Sequence, residues 1–147
     1  MNIRSLLVIP FAIFSLILQA QDTTSLNVEL FGQFHRGDIR YSGSWAYIDS
    51  SGNEYALLGT RTGVAAYTID NQLEINEVGF ISGPESNWRE ITVIGDYAYV
   101  TTEGGSDTTG MQVIDLQYLP DSLKLLTTYS ESFTRGHILQ RNVYLKR

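Results

Sequence analysis

The apolar positions of this chain fall into short runs that glycine, asparagine, aspartate and serine interrupt. The clearest runs, at residues 54–59, 64–69, 91–94, 97–100 and 111–114, are rich in β-branched and aromatic side chains. Runs of this length and composition are typical of β-strands. After residue 20, no long segment repeats its apolar residues with the period of a helix. The pattern therefore predicts an all-β protein with little helix.

Two stretches of the chain repeat the same plan. Residues 55–58 match 97–100 at an offset of 42, and residues 63–67 match 110–114 at an offset of 47. A repeat of about 40 to 50 residues with four short strands is characteristic of a β-propeller blade. We place Trp45 and Trp88 at equivalent positions that open each unit. We therefore predict one four-stranded antiparallel blade over residues 45–81, with strands near 45–48, 54–59, 64–69 and 74–81, and a second blade over 88–129.

The two ends of the chain do not fill whole blades. Residues 26–34 resemble a lone outer strand, and residues 137–147 resemble the first half of a further blade. A propeller usually needs at least four blades to close its ring. The fold prediction is thus an incomplete β-propeller over residues 21–147. Such a chain is either a fragment of a longer protein or a unit that associates with itself to complete the ring.

The first 20 residues have the composition of a secretory signal peptide. Arg4 supplies a positive start, residues 5–18 form an apolar run that is too short to span a membrane as a helix, and Ala20 precedes a polar stretch. We expect cleavage after Ala20. The mature chain is then exported to the periplasm, the cell surface or the extracellular space.

Charge and cysteine content exclude several classes of function. The net charge is -6, so the protein's own field repels nucleic acid and anionic membranes. The absence of cysteine rules out disulfides, thiolate zinc sites and a cysteine nucleophile. His35 and His137 are the only histidines, which leaves no histidine-rich metal site. The sequence predicts neither a metal nor a cofactor.

Several motifs, in order, resemble the choice-of-anchor B proteins, which are exported bacterial proteins built from LVIVD-type propeller repeats. The motifs are NEYA at 53–56, GPESNWREI at 83–91, YAYVTTEG at 97–104, QVIDL at 112–116 with LP at 119–120, and FTRGH at 133–137. The resemblance runs from Leu26 to the end of the chain. It implies a surface-associated propeller and names no catalytic residues.

Polar residues in the loops that follow the outer strand of each predicted blade are expected to converge on one rim, together with the long hairpin after residue 100. Aromatic rings beside arginines and carboxylates suit a glycan, a peptide or an anionic ligand. The alternative is that the tryptophans pack between blades and the charges pair locally. The candidate rim residues are Arg36, Asp38, Arg40, Trp45, Trp88, Arg89, Glu90, Glu103 and His137.

The sequence favours a binding or interaction module over an enzyme, with a surface glycan, peptide or protein as partner. The main alternative is a secreted propeller hydrolase or lyase in which His137 is the base and Glu103 orients it. A nonfunctional truncated fragment is the third reading, because unpaired strands at both ends would expose backbone groups and promote aggregation.

Overall fold

The computed structural model describes residues 30, 32–37, 40–69, 74–105 and 109–142. The signal peptide predicted for residues 1–20 lies outside these ranges, and so does Asp38. Among the described residues there is no helix that could cross a membrane.

Eight strands make up the regular structure of the described residues. Seven of them overlap the strands and runs predicted above, and the eighth lies within the predicted second blade. Positions in Glu54–Thr60, Tyr97–Thr102 and Met111–Asp115 alternate between more and less buried over much of their length, as half-buried strands do. The strands are β1 (Tyr41–Ile48), β2 (Glu54–Thr60), β3 (Gly63–Ile69), β4 (Ile75–Ser82), β5 (Arg89–Ile94), β6 (Tyr97–Thr102), β7 (Met111–Asp115) and β8 (Lys124–Tyr129).

The strands form two antiparallel sheets of four strands, in the orders β1-β2-β3-β4 and β5-β6-β7-β8. Each strand pairs with its neighbour in sequence, so each sheet is a simple meander. The turn residues permit this: Gly52 and Gly95 lie in the first hairpin of each sheet with φ of +87° and +59°, a region that side chains disfavour. The all-β prediction is confirmed for the described part of the chain.

The repeat read from the sequence agrees with the pairing of the strands. Leu57 pairs with Ala66 in the first sheet, and Tyr99 pairs with Val113 in the second. The offset of 42 relates Leu57 to Tyr99, and the offset of 47 relates Ala66 to Val113, so the two pairs are equivalent. A β-bulge also recurs at the same place, after Ala66 and after Val113. The two sheets are therefore two copies of one structural unit.

The two tryptophans, in contrast, do not occupy equivalent positions. Trp45 lies within β1 opposite Leu57, and the residue that holds this place in the second sheet is Thr92, opposite Tyr99. Trp88 precedes β5. The alignment of the tryptophans was wrong because the first hairpin of the first sheet, residues 49–53, is longer than that of the second, Gly95 and Asp96.

The hydrophobic core lies between the two sheets, where one face of each is buried. Strand β1 contacts β5 across this interface. Partly buried Trp45, Val78, Ile81 and Leu123 pack around the core. The first sheet contributes Tyr47, Tyr55, Leu57, Val64 and Ala66, the second contributes Ile91, Val93, Ala98, Val100 and Ile114, and Leu116 and Leu119 complete the cluster.

The described residues at the two ends of the chain form no strand. Leu30 and residues 32–34 of the predicted outer strand lie in irregular chain, and so do residues 137–142 of the predicted half blade. The rest of both segments lies outside the described ranges. The lone strand and the half blade therefore stay predictions.

Candidate functional site

Three connecting segments meet beside the second sheet. They are the β4–β5 connection at residues 83–88, the start of the β6–β7 hairpin at residues 103–105, and the segment after β8 at residues 130–137. Residues distant in sequence thus come together. We call this region the loop site.

Thr102, the last residue of β6, joins all three segments. Its hydroxyl donates a hydrogen bond to the carbonyl of Trp88 (2.9 Å) and accepts one from the amide of Gly104 (3.2 Å). Its own carbonyl accepts a hydrogen bond from the amide of Gly136 (3.1 Å). Thr102 is 2% exposed, so these bonds are shielded from competing water. The buried Thr102 thus holds the backbone of all three segments of the loop site in place.

Further hydrogen bonds hold the third segment against the hairpin. The amide of Gly110 donates to the carbonyl of Thr134 (2.9 Å), and Arg135 Nη2 donates to the carbonyl of Gly105 (3.2 Å). Gly136 packs so closely on Thr101 that an added Cβ would lie 3.1 Å from that side chain. The segment at 134–137 is therefore seated on the second sheet.

Among the exposed side chains of these segments, Trp88, Glu103 and His137 lie close together. His137 Nδ1 lies 2.7 Å from Glu103 Oε1, and both side chains are about half exposed. The rings of Trp88 and His137 are 5.7 Å apart between centroids and tilted by 56°. Trp88 is 55% exposed, which is unusual for so large an apolar side chain.

A shallow pocket opens next to this pair. Its volume is about 330 Å³, and Glu103, Arg135, Gly136 and His137 line it. The lining combines a carboxylate acceptor with guanidinium and imidazole donors. The loop site thus places an open aromatic surface beside hydrogen-bonding groups of both kinds.

Arg89 does not belong to this surface, contrary to the sequence interpretation. It is 1% exposed: Nε donates to the carbonyl of Thr60 (3.0 Å) and Nη2 to that of Pro84 (2.5 Å). Burial lowers its pKa from the usual value. The guanidinium links the first sheet to the loop that leads to Trp88, so its role is structural.

The other predicted rim residues are dispersed. Trp45 packs against the core, and Glu90 lies beside Gly43 of β1. The exposed Arg40 accepts a hydrogen bond at its carbonyl from the amide of Arg61 (2.9 Å). Arg36 pairs with Glu77 (3.0 Å) and stacks on Phe80, both on β4. Of the eight candidates that the structure describes, Trp88, Glu103 and His137 lie together.

Three residues of the loop site were missed from the sequence: Thr102, Arg135 and Gly136. One signal was present, because Thr102 matches Thr60 in the repeat, and both threonines end the second strand of their sheet. The loop that carries Arg135 and Gly136 was expected at the rim, but the contacts of these two residues depend on the path of the chain after β8.

A second polar cluster joins the hairpins elsewhere in the two sheets. The hydroxyl of Tyr47 donates to Asp96 (2.9 Å) and that of Tyr55 to Asp49 (3.2 Å). Burial and the hydrogen bond to Asp96 raise the pKa of Tyr47 to about 12. Hydrogen bonds from Asn53 lower the pKa of the Asp49 carboxyl. No group of three potential metal ligands forms here or elsewhere in the described residues.

Comparison with family models, with curated proteins and with solved structures gives no match for this chain.

Proposed function

We propose that the two sheets are consecutive blades of an incomplete β-propeller. Support comes from the four-stranded meanders, from the shared register and bulge position, and from the face-to-face packing with β1 against β5. These are the properties of radially repeated blades. The motifs similar to choice-of-anchor B proteins and the apolar N-terminal segment support assignment to that exported family.

The protein acts as a binding module at the cell surface, in the periplasm or outside the cell, and the loop site is its ligand-binding surface. The observation that carries this proposal is the exposed Trp88 beside the Glu103 and His137 pair. An aromatic ring flanked by hydrogen-bonding groups is a common element of binding surfaces. Connecting segments on a rigid scaffold are also where binding residues concentrate.

The proposal is tested by immobilising the purified chain and passing panels of saccharides and peptides over it. We expect retained ligands whose retention is lost in Trp88→Ala. The matched control is Tyr118→Ala, which removes another exposed aromatic ring, 47% exposed, that lies outside the loop site. Retention that Trp88→Ala leaves unchanged, or that Tyr118→Ala abolishes equally, would contradict the proposal.

A hydrolase is the second candidate, because the 2.7 Å contact between His137 Nδ1 and Glu103 Oε1 has the form of an oriented base. In this reading Glu103 fixes the imidazole and His137 Nε2 takes a proton from water or a hydroxyl. The test is hydrolysis of ester and glycoside substrates by the purified chain. Turnover that His137→Ala and Glu103→Gln both abolish would support the enzyme, and no turnover above background would reject it.

A further inference from the structure

We propose that the ligand of the loop site is an uncharged saccharide, with one sugar ring stacked on Trp88 and its hydroxyls bonded in the adjacent pocket. This inference rests on the proposed function and specifies the chemistry of the ligand. It depends on three features of the site: the open face of the indole, the mixture of donors and acceptors, and the balance of charge.

The first feature is the indole of Trp88. More than half of its surface is exposed, and the described residue whose ring contacts it is His137, with its imidazole tilted. The face of an aromatic ring carries partial negative charge, and the C–H bonds on one face of a pyranose carry partial positive charge. A sugar ring therefore covers the indole without the need for a deep apolar pocket.

The second feature is the hydrogen-bonding capacity of the pocket. Glu103 uses one carboxylate oxygen for His137, and the second oxygen is an acceptor. Arg135 has one guanidinium nitrogen on the carbonyl of Gly105, and its other N–H groups are donors. A sugar hydroxyl both donates and accepts, so neighbouring hydroxyls bond to Glu103 and Arg135 at once. The pocket of about 330 Å³ lies in the size range of small-ligand sites.

The third feature is the presence of both charge signs within one small pocket. A ligand carboxylate or phosphate that approaches Arg135 also meets Glu103, and a lysine or arginine of a peptide that approaches Glu103 also meets Arg135. Like charges at close range cost binding free energy. The lining therefore favours an uncharged polar ligand over an ionic one.

The backbone of the loop site is held in place before a ligand binds, which favours the binding of a flexible saccharide. The three segments share hydrogen bonds through Thr102, so the site does not have to be ordered when the ligand binds. Preorganisation of this kind lowers the entropic cost of binding.

The test uses NMR saturation transfer and titration with two panels at millimolar concentration. One panel holds neutral di- to tetrasaccharides of glucose, galactose, mannose and N-acetylglucosamine, and the other holds uronic-acid oligosaccharides and charged peptides. We expect binding from the neutral panel, weakened about tenfold or more in Trp88→Ala. Trp88→Phe should retain part of the affinity, and Tyr118→Ala should retain all of it.

The outcomes separate the two proposals. Binding of the neutral panel that Trp88→Ala weakens supports both. Binding of only the charged panel that Trp88→Ala weakens overturns the saccharide inference and leaves the proposed function standing. Absence of binding from both panels, or binding that does not depend on Trp88, overturns both. Circular dichroism and thermal unfolding of each variant establish that the variant is folded.

Discussion

At the scale of single residues, Thr102 holds the three segments of the loop site together. One hydroxyl and one carbonyl make three hydrogen bonds to three separate segments. The geometry of the exposed Trp88 therefore depends on a side chain that no ligand would touch. Thr102 is a positioning residue.

We predict that Thr102→Val destabilises the protein by about 1–3 kcal/mol. Valine nearly matches threonine in shape, but it has no hydroxyl to bond to the Trp88 carbonyl and the Gly104 amide. Thr102→Ser keeps the hydroxyl and should cost less. Urea unfolding measures both values, and Trp88 fluorescence in a Trp45→Phe background reports the local change. Equal free energies of unfolding for the valine variant and the parent chain would show that these hydrogen bonds do not stabilise the protein.

Tyrosine ionisation gives a second prediction at this scale. Tyr47 and Tyr67 have their pKa raised from 10.0 to about 12, chiefly by burial. The unfolded chain releases these protons near pH 10, whereas the folded chain retains them to about pH 12, so the free energy of unfolding should fall as the pH rises between these values. The stabilisation is complete below pH 10.

Urea unfolding at a series of pH values across this window measures the effect. Tyr47→Phe and Tyr67→Phe should each flatten the dependence, because phenylalanine has no proton to release. Trp88→Phe, which changes no titratable group, is the control and should leave the slope unchanged. A stability that is constant from pH 10 to 12 in the parent chain would contradict the prediction.

Sequence reasoning located part of the loop site and misplaced the rest for a definite reason. Trp88, Glu103 and His137 lie on connecting segments, and polar connections were expected to converge. Arg89 was assigned to the same surface, yet it is the first residue of β5 and points into the interior towards the carbonyls of Thr60 and Pro84. The direction of one side chain at a strand boundary is not encoded in local polarity.

At the scale of strands and sheets, the spacing of apolar residues was sufficient to predict most of the fold. Alternation of side chains specifies the strands, and the two offsets specify which strands are equivalent. The tryptophan alignment failed because the hairpins differ in length. The repeat is therefore read more safely from paired strands than from conspicuous residues.

Close approach of strands makes Gly63 a sensitive position. A Cβ on this residue would overlap the carbonyl oxygen of Ile81 and the ring of Phe80, both on β4. We predict that Gly63→Ala costs about 2–3 kcal/mol by separating β3 from β4. Gly52→Ala meets no atom within 4 Å but has φ of +87°, and should cost about 1 kcal/mol. Thermal unfolding ranks the two variants, and the reverse order would refute the packing argument.

At the scale of the whole molecule, the described residues leave the outer face of the second sheet incompletely covered. Tyr97, Tyr99 and Val113 are partly exposed. Their equivalents in the first sheet, Tyr55, Leu57 and Ala66, are at most 1% exposed because the second sheet packs on them. From the repeat equivalence we predict that a further four-stranded sheet packs on this face.

We predict that a second copy of the chain supplies this cover in solution. Light scattering should give a discrete oligomer, and Tyr99→Asp should shift it towards the monomer because it places a charge in the contact. Glu131→Asp, a conservative change at an exposed site, is the control. A monomer at every concentration would contradict self-association, and heterogeneous aggregates would favour the truncated-fragment reading.

We propose that the loop site is the surface through which this chain binds ligand. The most direct measurement is a two-dimensional amide and indole NMR map of the chain titrated with the neutral saccharides. We expect the Trp88 indole and the amides of Gly104 and Gly136 to shift together along one binding curve. Shifts concentrated on the Asp49 and Asp96 cluster, or no saturable shift at the loop site, would contradict it.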